Sequence, residues 1–143
     1  MNNSSTRRDF VKASSALTAG ALLASPYIAN AAKDDKVIKI GLVGIGGRGS
    51  GAAAQAMNAD PNVALTAIGD LFEDRIKLRS RILKARGRDK YQVTDETTFT
   101  GFDAYKKVID SGVDVVILTT PPAFRPQHLE YAIEKGVHCF FEK

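Results

Sequence analysis

A single cysteine, Cys139, stands in a chain of 143 residues, so neither an internal disulfide framework nor a multi-cysteine zinc or iron–sulfur site can be built from it. Histidine is almost as scarce: His128 and His138 are the whole supply, and they offer no metal-ligand spacing. No Ser/His/Asp arrangement for nucleophilic catalysis can be assembled around them. The absence of tryptophan excludes nothing. No apolar run approaches the roughly 20 strongly apolar residues of a membrane-spanning helix. What the chain does have is 44% hydrophobic and 25% charged residues, the balance of a globular protein rather than a disordered or membrane-embedded one. Its length suits one ordinary domain and is too short for two sizeable ones.

The amino terminus reads as an address. Thr6 to Lys12 is TRRDFVK, a pair of arginines followed by an apolar residue and a lysine. A mild apolar run, Ala13 to Leu23, follows, diluted by Ser14, Ser15, Thr18 and Gly20. Pro26 breaks it, and Ala29-Asn30-Ala31 places small residues where a signal peptidase needs them. The segment 1–31 resembles a twin-arginine export signal, which implies the twin-arginine export machinery as a partner and a periplasmic or exported destination. If left uncleaved after Ala31, the signal would tether the protein. Without this segment the chain loses three of its 20 basic and one of its 16 acidic groups, and the formal charge falls from +4 to +2. The apparent basicity, with a pI near 9.3, is thus partly the signal's own and argues little for a nucleic-acid partner.

Residues 32–143 alternate strand and helix. Val37 to Val43 is a β-branched run ending in glycines, and Val63 to Ile68 is a second strand with Gly69 and Asp70 at its carboxyl end. Tyr91 to Val93 reads as a brief third strand, Asp114 to Thr119 as a fourth stopped by Pro121-Pro122, and Val137 to Phe141 as a fifth. Helices are expected over Gly49 to Met57, Leu71 to Arg86, Phe102 to Ile109 and His128 to Glu134. In the second helix, Ile76 with Leu83 and Leu78 with Ile82 carry the apolar spacing. This order predicts an α/β fold, a doubly wound parallel sheet of the Rossmann type with five strands. A six-stranded version would lack its last strand here, so the chain is expected to be a fragment.

Gly44-Ile45-Gly46-Gly47-Arg48-Gly49 is a G-x-G-x-x-G run placed between a strand and a helix, which its mechanism requires. Gly44 allows the tight turn, Gly46 lets the backbone approach a pyrophosphate, and Gly49 permits close helix–strand packing. Gly47 and Arg48 complete the turn, where free helix N–H groups and the positive dipole end meet the phosphates. Asp70 lies 21 residues beyond Gly49, where its carboxylate can accept from an adenosine ribose. These features predict a dinucleotide cofactor, NAD, with NADP as the alternative because Arg75 stands five residues further on.

Together, GLVGIGGRG, AIGD, DVVILTTPP and the closing VHCFFEK resemble the Gfo/Idh/MocA oxidoreductases over residues 36–143. The resemblance implies an amino-terminal Rossmann domain whose partner, a carboxyl-terminal α/β domain, carries most of the substrate site and is not in this chain. It places the family's E-K-P motif at Glu142 and Lys143, with Lys143 as the catalytic lysine near the nicotinamide and Glu142 at the cofactor. Thr120-Pro121 corresponds to the Thr-Pro motif that lies along the cofactor. Many members have a histidine four residues after that proline; here the position is Arg125, and His128 follows three residues later without an assigned role. The implied activity is hydride transfer between a nicotinamide cofactor and a sugar- or polyol-like substrate. Homo-oligomers through the absent domain would fit, and this segment alone is expected to bind dinucleotide weakly or not at all and to show no turnover. The alternatives are a glycosidase of the same superfamily that recycles tightly held NAD and a nucleotide-binding module without turnover.

The other polar residues receive plainer readings. The basic run from Arg75 to Lys90 is taken as a solvated helix face, since it lacks a nucleic-acid reading motif or interleaved aromatics. His138 is taken as the start of a buried strand and Cys139 as an inert core thiol.

Overall fold

The computed structural model describes residues 36–142; the segment 1–31 expected to act as an export signal, the cleavage expected after Ala31, and Lys143 lie outside the described residues. Five parallel strands are observed: β1 (Ile38–Val43), β2 (Val63–Asp70), β3 (Thr98–Thr100), β4 (Val115–Leu118) and β5 (His138–Phe141). Four helices connect them: α1 (Gly47–Ala59), α2 (Glu73–Gly87), α3 (Ala104–Asp110) and α4 (Arg125–Glu134). The strands lie in the order β3-β2-β1-β4-β5. Sequence order therefore reverses between β1 and β4, and a crevice opens at the carboxyl ends of those two strands.

Alternation along β1 divides the core. Ile40 and Leu42 face one side, where Met57 of α1 and Ile76 and Leu83 of α2 cover them. Val43 faces the other, with Tyr105 and Val108 of α3 and Ala132 of α4. A side chain on Gly41 or Gly69 would collide with Val108, at 2.6 and 2.9 Å, so two strand glycines let α3 sit close to the sheet. In α2 the buried stripe is Ile76, Leu83 and Gly87, while Leu78 and Ile82 are exposed, so only the first expected pair faces the core.

Two expectations need correction. The third strand is Thr98–Thr100 and not Tyr91–Val93: Tyr91 makes a single bridge to Leu65, and Gln92 donates once to the Leu65 carbonyl. The chain then leaves the sheet through a turn over Asp95–Thr97, closed by reciprocal Thr94 and Thr97 side-chain bonds, and returns to pair with Ile68 to Asp70. Among the described residues β5 pairs with β4 alone and so stands at the edge of the sheet, not buried within it. In β5, His138, Phe140 and Phe141 are exposed and Cys139 is half-buried rather than in the core. Burial still raises the Cys139 thiol above its ordinary pKa, which keeps it protonated and unreactive near neutrality. Smaller differences concern helix starts: α1 begins at Gly47 and α4 at Arg125, where Pro126 is tolerated in the first turn.

Candidate active site at the carboxyl edge of the sheet

The glycine run forms the turn between β1 and α1. Gly44 adopts φ +92°, a left-handed conformation that favours glycine, and a Cβ there would crowd the Thr119 and Thr120 backbone at 3.0 Å. A Cβ on Gly49 would overlap the Gly44 carbonyl oxygen and press Thr119 Oγ1 at 2.5 Å. Gly46 is different: a Cβ there would meet nothing within 4 Å. It caps α1 with extended backbone, and no side chain satisfies the free N–H groups that follow. Open space therefore lies where a phosphate would approach those donors.

The turn is held from two sides. Thr119 Oγ1 donates to the Gly44 carbonyl at 2.6 Å, tying the turn to the end of β4. Asp70, 7% exposed, accepts from the Ile45 N–H through Oδ2 at 2.8 Å and from the Phe72 N–H through Oδ1 at 3.0 Å. Each carboxylate oxygen retains acceptor capacity. Asp70 thus fixes the turn and still presents an anion to the crevice.

That crevice has a volume of about 480 Å³, within the range of small-molecule sites. Gly44, Gly46, Asp70, Thr120 and Pro121 line it. Its wall on the α3–α4 side is aromatic: the buried His128 ring stacks on Tyr105, with centroids 4.1 Å apart. His128 Nδ1 lies 3.2 Å from Thr120 Oγ1, and burial lowers the imidazole pKa, which favours the neutral ring. At the opposite rim the Arg75 guanidinium lies 4.7 Å above the Phe72 ring. Much of the rest of the basic run is exposed, while Lys90 donates to the Met57 and Asp60 carbonyls and closes the end of α1.

Gly47, Arg48, Gly49 and Glu142 stand outside the crevice lining. Arg48 Nη2 instead pairs with Glu142 Oε1 at 2.5 Å, and the hydrogen bond to Glu142 raises the Arg48 pKa further. Arg125 joins the two strand ends: Nε donates to the Thr120 carbonyl at 2.7 Å and Nη1 to the Glu142 carbonyl. Sequence reasoning missed the anchoring by Thr119 and left Arg125 and His128 without roles. The place of Arg125, four residues after Pro121, was the available signal for it; nothing in the sequence distinguished Thr119.

A crevice at the strand-order reversal, an uncapped helix N-terminus beside open space at Gly46, and a carboxylate at the end of β2 define a dinucleotide-binding Rossmann domain. Residues 38–143 match the family described as "Oxidoreductase family, NAD-binding Rossmann fold", and the chain belongs to this Gfo/Idh/MocA family. A glycosyl hydrolase family 109 protein of Porphyromonas gingivalis is 28% identical over 109 residues, covering 75% of this chain and 22% of that protein. A protein of the same description from Solibacter usitatus is 27% identical, covering 96% of this chain and 32% of its own length. Among solved structures, scyllo-inositol dehydrogenase from Lactobacillus casei with bound NAD(H) and scyllo-inositol is 25% identical, with a TM-score of 0.59. That match covers 76% of this chain and 28% of the dehydrogenase. The chain therefore spans between about a fifth and a third of the length of these relatives.

Proposed function

We propose that this chain is the cofactor-binding part of an exported oxidoreductase that moves a hydride between NAD and a polyol or sugar-like substrate. The observation that carries the reading is the open space at Gly46, which faces the free N–H groups of α1 within reach of Asp70. Bound there, the dinucleotide would supply the hydride acceptor. The α1 donors and dipole would hold its pyrophosphate, and Asp70 would accept from its adenosine ribose. Thr120-Pro121 would lie along it, with Lys143 at the nicotinamide as the family resemblance implies. The polyol class draws on the inositol dehydrogenase neighbour.

NAD is favoured over NADP because a 2′-phosphate would face the Asp70 carboxylate. One such pair of like charges at about 4 Å costs roughly 4 kcal/mol at an effective dielectric near 20, before relaxation. Asp70→Asn, which retains one oxygen acceptor for the turn, is expected to lower NAD affinity and raise NADP affinity in paired titrations. A parent protein that prefers NADP would reverse the assignment and make Arg75 the reader.

A second reading, a glycosidase that oxidises its substrate transiently and recycles NAD, is favoured by the two family 109 relatives. Incubation of the intact protein with NAD and either polyols or aryl glycosides separates the two. Net NADH formation supports the oxidoreductase; glycoside cleavage without it supports the glycosidase. Export is tested by replacing Arg7 and Arg8 with lysine, which is expected to retain the protein in the cytoplasm. Unchanged periplasmic recovery would contradict export by this route.

A further inference from the structure

Arg48 occupies an electrostatically adverse position. It is the second residue of α1, at the positive end of the helix dipole, and the first turn contains no acidic residue to balance it. Its counter-charge comes from far along the chain, through the 2.5 Å pair with Glu142. The two partners are held unequally. The Glu142 side chain is 17% exposed, its N–H donates to the Leu118 carbonyl, and Arg125 grips its carbonyl. The Arg48 side chain is 65% exposed. One partner is fixed in the frame and the other is free to swing on its long stem.

We propose that Glu142 is an internal anion that occupies Arg48 until the dinucleotide pyrophosphate takes its place. This rests on the functional reading above. The pyrophosphate carries one negative charge on each phosphate, two in all against one for a carboxylate, and a guanidinium fits phosphate oxygens in bidentate geometry. Arg48 then turns to the phosphate while Glu142 remains at the strand end that precedes Lys143. When the phosphate begins to leave, Glu142 recaptures Arg48. The exchange therefore limits retention of the cofactor, a useful property where free NADH must depart in each cycle.

The test uses the intact protein, titrated with NADH by fluorescence and with ADP, a pyrophosphate without nicotinamide, by calorimetry. Glu142→Gln is expected to bind both about 3- to 10-fold tighter, the scale of one charge acting at a helix terminus, with slower NADH release. Arg48→Gln is expected to weaken both, and adding Glu142→Gln to it is expected to change nothing further. Glu142→Asp, which withdraws the carboxylate from Arg48, serves as the second variant and is expected to tighten binding in the same direction. Weaker or unchanged binding in the Glu142 variants overturns the proposal, as does an equal gain with and without Arg48. A parent that binds neither NADH nor ADP overturns the functional reading itself.

Discussion

The two sides of the crevice are built by different means. On the β1–β2 side the turn is a backbone object: Gly44 and Gly49 permit its path, and Asp70 receives its N–H groups. On the β4–β5 side the strand ends are joined by side chains, with Arg125 bridging Thr120 and Glu142 and His128 placed against Thr120. A backbone turn fixes position through steric exclusion, whereas a side-chain network fixes it through partners that can be exchanged. The first suits a phosphate cradle that must be ready before the ligand arrives. The second suits a region whose contacts are to rearrange.

The contrast predicts that damage where the β1–β2 turn is sterically closed, at Gly44 and Gly49, acts on the fold. Gly49→Ala forces a Cβ onto the Gly44 carbonyl, backbone that cannot move without opening the turn. Thermal and denaturant unfolding are expected to show a loss of roughly 3 kcal/mol or more, at the upper end for overpacking. A loss below about 1 kcal/mol would mean that the turn is softer than its contacts indicate.

Damage on the other side is expected to be smaller. Arg125→Gln removes charge-assisted bonds to two carbonyls and is expected to cost about 1.5–3 kcal/mol in the same assay. Arg125→Lys is expected to recover only part of it, because an ammonium cannot reproduce the planar fork. Full recovery would show that charge alone holds the strand ends.

The smallest effect concerns His128. Burial lowers its pKa from the ordinary 6.5, so the unfolded chain binds a proton there more readily than the folded one. Its effect on stability is therefore absent above the unfolded pKa and becomes a loss as pH falls below it toward the folded value. Melting measured at about pH 7.5 and about pH 5.5 is expected to show a steeper loss for the parent than for His128→Gln. Equal slopes would show that the ring titrates alike in the folded and unfolded chain.

The same contrast explains what the sequence made legible. Glycine spacing and the strand before it are local and steric, so the turn at Gly44 and Gly49 and the place of Asp70 at the end of β2 could be read in order. The parallel sheet followed from the alternation of strand and helix. The place of β3 could not be read, because Tyr91–Val93 and Thr98–Thr100 are both short and pairing with β2 decides between them. The Arg48–Glu142 pair joins residues 94 positions apart, and no local pattern announces such a contact.

The central claim is that the open space at Gly46 is where a dinucleotide binds, and Gly46→Val tests it most directly. A Cβ there meets no protein atom, so the variant is expected to fold and to lose only the roughly 1 kcal/mol of a poorer N-cap residue. Calorimetric titration of both intact proteins with NAD is expected to give saturable binding in the parent and none in the variant. Equal NAD binding by a folded Gly46→Val protein would contradict the account and leave the glycine turn a purely structural element.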